Sequence, residues 1–260
     1  MSTDKDNVIF EDRNRTRLLT INRPEFLNAM NNNMCARIGR LLNETANNNE
    51  IAVAMITGAG EAFCSGQDLH EMRQMEDSPP QFTDMLKQLA SFPKPLIAAV
   101  NGIGVGIGMT FLSHCDLVLM SEEAKLKTPF PQLGLAPEAG SSYSFIERMG
   151  WQNAAYTLLS GRWFSARECL EMNLAWRVTS ANTLLSKTRQ IAEEIAANPI
   201  PSLIATKTLM LASGKSRKTK QAHGRERKAY AKLMGSAANK EAVDAFFEKR
   251  NPDFSSIKGL

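Results

Sequence analysis

Histidine is scarce in this sequence: His70, His114 and His223 are the only 3 among 260 residues. That scarcity argues against a histidine-rich metal site, and no nucleophile-elbow motif is present to support a Ser/His/Asp triad. Cysteine is nearly as sparse, and Cys35, Cys64, Cys115 and Cys169 form neither a C-x-x-C pair nor a dense framework. They read as reduced packing residues of an intracellular protein. Long apolar runs are missing too, so no segment has the length of a membrane span, and the polar start Met1 to Asp6 with the short Val8-Ile9-Phe10 does not read as a secretory signal. Charge of one sign does not dominate: 31 basic against 27 acidic residues give a net +4, too mild to mark a nucleic-acid binder. The final Lys258-Gly259-Leu260 differs from the Ser-Lys-Leu peroxisomal address, which leaves a cytoplasmic protein with no membrane partner as the expectation. With 43% hydrophobic residues the chain can bury a substantial core.

What the sequence does contain is glycine in a telling place. Asn101-Gly102-Ile103-Gly104-Val105-Gly106-Ile107-Gly108 follows the strand-like Leu96 to Val100 and opens onto the apolar run Met109 to Leu112. Glycines there let a backbone approach a ligand closely, and a helix begun there points free N–H groups at an anion. A dinucleotide fingerprint fails on spacing, because Asp116 comes too early for its acidic partner, and a phosphate loop fails because no Lys-Ser or Lys-Thr closes the run. Tight helix-on-sheet packing remains open from this stretch alone.

Upstream, the strand-like Ile51 to Thr57 ends in Gly58-Ala59-Gly60 and leads into Phe63-Cys64-Ser65-Gly66-Gln67-Asp68-Leu69. Two glycine turns, each after a strand, can aim backbone N–H groups into one pocket, the arrangement that stabilises an oxyanion in acyl transfer or enolate formation. Together with Asn22-Arg23-Pro24-Glu25-Phe26-Leu27-Asn28-Ala29 and Pro93-Lys94-Pro95-Leu96-Ile97-Ala98-Ala99-Val100-Asn101-Gly102, these residues resemble the successive signatures of the crotonase (enoyl-CoA hydratase/isomerase) superfamily, from about Val8 to Phe254.

Local signals set out the elements. Val8 to Asp12 and Arg17 to Ile21 suggest a hairpin, and Asn31 to Asn48 an amphipathic helix with Met34, Ile38, Leu41, Leu42 and Thr45 on one face and asparagine caps. Leu69 to Ser91, interrupted by Ser78-Pro79-Pro80, reads as a short and a longer helix around a mobile middle. Asp116 to Met120 and Ala124 to Thr128 read as strands, and Ser141 to Met149 as a helix. Leu184 to Ala197, Ile200 to Leu211, Arg225 to Met234 and Lys240 to Phe247 read as a helical tail, divided at Asn198-Pro199. The basic residues from Lys215 to Lys232, against Glu226 alone, read first as a solvated helix face, with CoA phosphates or RNA as functional alternatives.

The resemblance implies an α/β fold, a superhelical spiral of β-β-α units over residues 1–198 with a helical oligomerisation region over 199–260, assembled as trimers or hexamers. It implies an oxyanion hole from the backbone N–H groups of Gln67 and Ile107, and a substrate CoA site at Ser65, Gly66, Gln67, Asp68 and Leu69. Where hydratases of the family carry two glutamates, this chain has Thr110 and Phe130. Leu135 to Tyr143 resembles instead the segment bearing the single glutamate of 3-enoyl-CoA isomerases of the peroxisomal type, which makes Glu138 the acid/base, with Phe130, Leu133 and Leu135 excluding water from it. Asp68 is expected to cap a helix or brace the oxyanion turn, Asp116 to anchor a strand, Glu122 and Glu123 to lie on a solvated turn, and Phe246 and Phe247 to pack. Phe246, Phe247 and Lys249 also resemble the family's segment that approaches a neighbour's CoA. The expected activity is conversion of a 3-enoyl-CoA to the 2-enoyl-CoA, with no metal or redox cofactor. Atypical hydration, decarboxylation, thioester hydrolysis, and a non-catalytic or RNA-binding role are the alternatives.

Overall fold

The computed structural model of this protein describes residues 7–72 and 80–257. The readings placed on Met1 to Asp6, on Ser78-Pro79 and the segment around them, and on Lys258-Gly259-Leu260 fall outside the described residues.

Strands β1 (Val8–Arg13) and β2 (Thr16–Ile21) form the expected antiparallel hairpin, closed by Asn14 and Arg15 at φ +48° and +62°. Positive φ at both central residues is the turn whose twist matches its strands. Helix α1 (Asn32–Asn47) starts where the Asn31 side chain accepts the Met34 N–H at 2.9 Å, and it buries the anticipated face of Met34, Ile38, Leu41, Leu42 and Thr45. Then come β3 (Val53–Gly58), β4 (Ala62–Cys64), α2 (Leu69–Met72), α3 (Pro80–Ala90), β5 (Leu96–Val100), β6 (Ile103–Val105), α4 (Ile107–Thr110), β7 (Leu117–Ser121) and β8 (Lys125–Lys127). The remaining elements are α5 (Ser141–Ser160), β9 (Trp163–Ser165), α6 (Ala166–Glu171), β10 (Arg177–Thr179), α7 (Ala181–Ala196), α8 (Ile200–Ala212), α9 (Lys215–Leu233) and α10 (Ala237–Phe247).

Two sheets result, one ordered β1-β2-β3-β5-β7-β10 and one ordered β4-β6-β8-β9. The pairs β3/β4, β5/β6 and β7/β8 each send one strand to either sheet, and all pairings among these six strands are parallel. This is the spiral of β-β-α turns. Strands β3 and β5 are continuous apolar runs because both faces are covered. One face packs Leu19, Ile56, Ala98 and Val100 with Leu41, Met85 and Phe111, while the other packs Val53, Met55, Ile97 and Leu119 against Leu184, Ala192 and Ala196 of α7.

Several readings need correction. The helix expected to end at Met149 continues to Ser160 through a break at Gly150, whose φ of +78° no helix contains. The helix expected from Arg225 begins at Lys215, because its buried positions, Thr219, Ala222 and Glu226, carry no strong apolar signal. Glu226 is therefore not on a solvated face with its basic neighbours: it is 5% exposed. Strand β9, helix α6 and strand β10 are too short for periodicity to reveal. Phe246 is 57% exposed and packs edge-on against Phe247 at 5.6 Å, while Phe247 also lies 5.6 Å from the His70 ring at a 57° tilt.

The Pro93-Lys94-Pro95 motif acquires a structural reason. Lys94 is 1% exposed, and its Nζ donates to the carbonyls of Thr45, Asn48 and Ile51 at 2.8, 2.6 and 2.7 Å, which satisfies the end of α1 and the approach to β3. The Lys94 carbonyl in turn accepts from Lys207 Nζ of α8 at 2.7 Å, and the same ammonium reaches Asp116 Oδ2 at 2.7 Å. Asp116 also accepts the Leu96 N–H at 2.8 Å, the strand-anchoring role expected of it. Removing the ammonium takes a charged donor from three carbonyls, of which Thr45 O and Asn48 O keep only the longer backbone bonds from Asn48 N–H and Ile51 N–H at 3.3 and 3.2 Å. Lys94→Met is expected to lower stability by about 3 kcal/mol or more, read as a fall in the denaturant midpoint at unchanged m-value.

Candidate active site

The two glycine turns meet backbone to backbone. Strand β4 pairs in parallel with β6, and a Cβ on Gly108 would lie 2.1 Å from the Cys64 carbonyl oxygen. Gly66, at φ +109°, faces the Val105 carbonyl, which a Cβ would approach to 3.2 Å. Gln67 therefore projects from a turn that touches the base of α4, where Ile107 is the first helical residue after Gly106 at φ +54°. A first-turn N–H has no acceptor within its own helix, so it points outward.

The Arg23 to Met30 segment clamps the Gln67 turn. Ser65 N–H donates to Leu27 O at 3.0 Å, Met30 N–H to Gly66 O at 2.8 Å, and Asp68 N–H to Met30 O at 3.0 Å. Asn28 Nδ2 donates to Ala59 and Ala62 carbonyls at 2.8 and 2.7 Å, while its Oδ1 accepts the Arg23 N–H at 2.8 Å. Arg23 Nη1 pairs with Asp68 Oδ2 at 2.6 Å, and Asp68 Oδ1 accepts the His70 N–H at 2.9 Å. Burial raises the Asp68 carboxyl's proton affinity, but the Arg23 and His70 bonds together hold it below the usual carboxylate range. Asp68 is thus a brace, as expected. Arg23 and Asn28 were visible only as motif letters, with no chemistry to mark them.

Glu138 comes to the foot of the same assembly. Its Oε1 accepts the Thr110 hydroxyl at 3.0 Å, so the carboxylate reaches the α4 position where a glutamate would otherwise stand. Burial pushes the Glu138 carboxyl up to about 8; the Thr110 bond opposes the rise and the charge of Glu226 adds to it. The backbone behind it is tightly held. Ala139 sits at φ +60°, His114 Nε2–H donates to its carbonyl at 2.9 Å, and Ser141 bonds Glu138 O through N–H and Oγ at 3.0 and 2.6 Å. Burial lowers His114 to about 4, so the ring is neutral and donates through Nε2.

From α9, Glu226 Oε2 and Oε1 accept the N–H groups of Gly140 and Ser142 at 2.6 and 2.8 Å. Both oxygens are thereby committed at the N-terminus of α5, where a negative charge is favoured. A small cavity of about 10 Å³ brings Gln67 and Glu138 together with Phe82, Pro137, Tyr230, His223, Arg227 and Glu226. Ile107, 2% exposed, is not among its lining residues, nor are Phe130, Leu133 and Leu135; on this side the apolar cover of Glu138 comes from Phe82, Pro137 and Tyr230. Phe130 and Leu135 are core residues, and Leu133 receives the Asn239 side chain on its carbonyl at 2.8 Å. Ser65 and Leu69 flank the turn, at its entry and at the start of α2.

Cys64 is fully buried with its thiol pushed up to about 12 by burial, so it supplies no thiolate. The other described cysteines are likewise free and buried.

Residues 11–257 match the family model described as enoyl-CoA hydratase/isomerase. The chain is 32% identical over 249 residues to the 1,2-epoxyphenylacetyl-CoA isomerase of Escherichia coli K12, covering 91% of this chain and 94% of that protein. It is 32% identical over 253 residues to the 2,3-dehydroadipyl-CoA hydratase of the same organism, covering 95% and 98%. Among solved structures, an enoyl-CoA hydratase/isomerase from Pseudoalteromonas atlantica T6c superposes with a TM-score of 0.91 at 34% identity, covering 96% of this chain and all of that one.

Gly108→Ala must push the Cys64 carbonyl away by about an ångström, and a displacement of that size at a reacting centre typically costs on the order of 10²-fold in rate. We expect that loss in kcat with the circular dichroism spectrum retained, whereas Gly39→Ala, whose Cβ would meet nothing closer than 3.6 Å, leaves kcat unchanged.

Proposed function

The chain belongs to the enoyl-CoA hydratase/isomerase family, and on that premise we propose that it is an isomerase that converts a 3-enoyl-CoA to the conjugated 2-enoyl-CoA with Glu138 as sole acid/base. The observation that carries this reading is the 3.0 Å bond from Thr110 to Glu138 beside a second carboxylate, Glu226, whose oxygens are both occupied by backbone N–H groups. A hydratase needs one carboxylate to activate water and another to protonate carbon. Here one carboxylate is available for proton transfer. Removing the proton at C2 of a 3-enoyl thioester puts negative charge on the thioester oxygen, which the N–H groups of Gln67 and Ile107 are proposed to hold. Glu138 then returns that proton to C4 as the double bond moves from C3–C4 to C2–C3, so no water is consumed and nothing leaves.

The raised proton affinity of Glu138 suits a group that must both take and give the proton near neutral pH. The reaction so proposed uses no metal or redox cofactor, and CoA is the substrate's handle, held along Ser65 to Leu69. A homotrimer or a hexamer is also proposed: Trp151, Leu159, Leu209 and Met210 are 71%, 74%, 75% and 64% exposed on α5 and α8, an apolar surface that a neighbouring subunit would cover. A cytoplasmic location is the accompanying proposal; among the described residues no helix is long and apolar enough to cross a membrane.

Turnover of a medium-chain 3-enoyl-CoA, followed as the rise in conjugated-thioester absorbance, is expected from the native protein and is expected to fall by about 10²–10⁴-fold in Glu138→Gln. Equal rates in the two proteins would assign the proton transfer to another group. The base works ionised, so kcat/KM should rise with pH and level off above a midpoint near 8. Over that window burial keeps His223 and Tyr230 neutral. Thr110→Val deletes the donor that favours the carboxylate, so the midpoint should move to higher pH; a midpoint moving down would contradict the assigned role of Thr110.

A further inference from the structure

Behind the Glu138 cavity lies a larger one of about 390 Å³, between α3 and α9. Its volume is within the roughly 300–1,000 Å³ usual for small-ligand sites. His223 and Arg227 line both cavities, Phe82 and Thr83 are consecutive on α3, and Glu138 and Ala139 are consecutive on the base loop. The two spaces are therefore adjacent and share part of their walls.

The larger space has a one-sided lining. Lys87, Lys220 and Arg227 supply cations, His114 and His223 supply imidazoles, and among the described residues no aspartate or glutamate lines it. Lys87 is the only one of the three cations with a salt bridge among the described residues, to Asp84 outside the cavity at 2.8 Å. His223 adds an independent sign, since both of its ring nitrogens are shielded from water without a hydrogen-bond partner among the described residues. A buried polar group left unsatisfied is costly, and a ligand atom between the two cavities would relieve it. A saturated hydrocarbon tail would leave the imidazole unpaired and would desolvate Lys220 and Arg227 with nothing in return.

Building on the isomerase reading, we propose that this cavity holds an anionic group at the far end of the acyl chain, so that the substrate class is the CoA thioester of an unsaturated dicarboxylic acid. The direction of the chain carries the assignment. With the thioester oxygen at Gln67 and the reacting carbons at Glu138, what continues past C4 is the acyl remainder, and the adjacent space lined by Ala139 presents Lys220 and Arg227 to it. A carboxylate there accepts from both cations and from the neutral His223 ring.

Equilibrium binding tests this without requiring turnover. The CoA thioester of the saturated six-carbon dicarboxylic acid should bind the native protein at least ~10-fold more tightly than that of the six-carbon monocarboxylic acid, the size expected of one charge-assisted hydrogen bond. In Lys220→Gln/Arg227→Gln, where both side chains are exposed and the fold does not depend on them, the two affinities should come within about 2-fold. Equal affinities in the native protein overturn the proposal. Equal weakening of both ligands in the variant overturns it as well, and assigns the cations to CoA phosphates. A protein that prefers the dicarboxylic thioester yet isomerises no 3-enoyl-CoA, carboxylated or not, would sink the isomerase reading alone.

Discussion

The contact between Gly108 and the Cys64 carbonyl is the constraint on which the site depends. Two turns that are separate in sequence are pressed together so closely that no side chain fits between them. From that contact follows the parallel pairing of β4 with β6, and from that pairing the direction in which α4 leaves the sheet. Because α4 leaves in that direction, Thr110 arrives one turn later within reach of Glu138. The clamp by Arg23, Asn28 and Asp68 keeps the other turn from relaxing away, since the N–H groups of Ser65 and Asp68 and the Gly66 carbonyl are already committed.

Electrostatics divides two neighbouring carboxylates between two tasks. Glu226 faces the N-terminus of α5 and takes two N–H donors, so its charge is offset where it stands. Glu138 has one hydroxyl donor and little water, and the fixed charge nearby makes its own ionisation harder. A group so placed holds its proton loosely enough to release it and firmly enough to take it back. The residue that looks like a lone acid in a basic helix is thus part of what tunes the proposed base.

Much of this was legible in the residues, and the part that was not has physical causes. The β1–β2 hairpin and α1 were readable because one face is buried and the other wet, which imprints a period on the sequence. Helix α9 was only half readable because it buries Thr219, Ala222 and Glu226 against α5, residues chosen for size and hydrogen bonding more than for apolarity. At the site, Gln67, Ile107 and Glu138 stand in motifs, and Thr110 was noticed as a missing glutamate. That Thr110 and Glu138 bond each other is a property of the spiral, which no local spacing encodes. The apolar cover on the cavity side of Glu138 was hidden for the same reason: Phe82 and Tyr230 come from distant helices, whereas a local reading reaches only neighbours in sequence such as Phe130 and Leu135.

Glu226 lies 86 residues beyond the Gly140 N–H that it holds. During synthesis the loop bearing Glu138 therefore leaves the ribosome long before its anchor does. The glycine turns and the clamp can assemble early, but the carboxylate has no fixed position until the basic helix has been made and has docked. A half-finished chain therefore lacks the anchor of that loop, and a helix made late in synthesis supplies it.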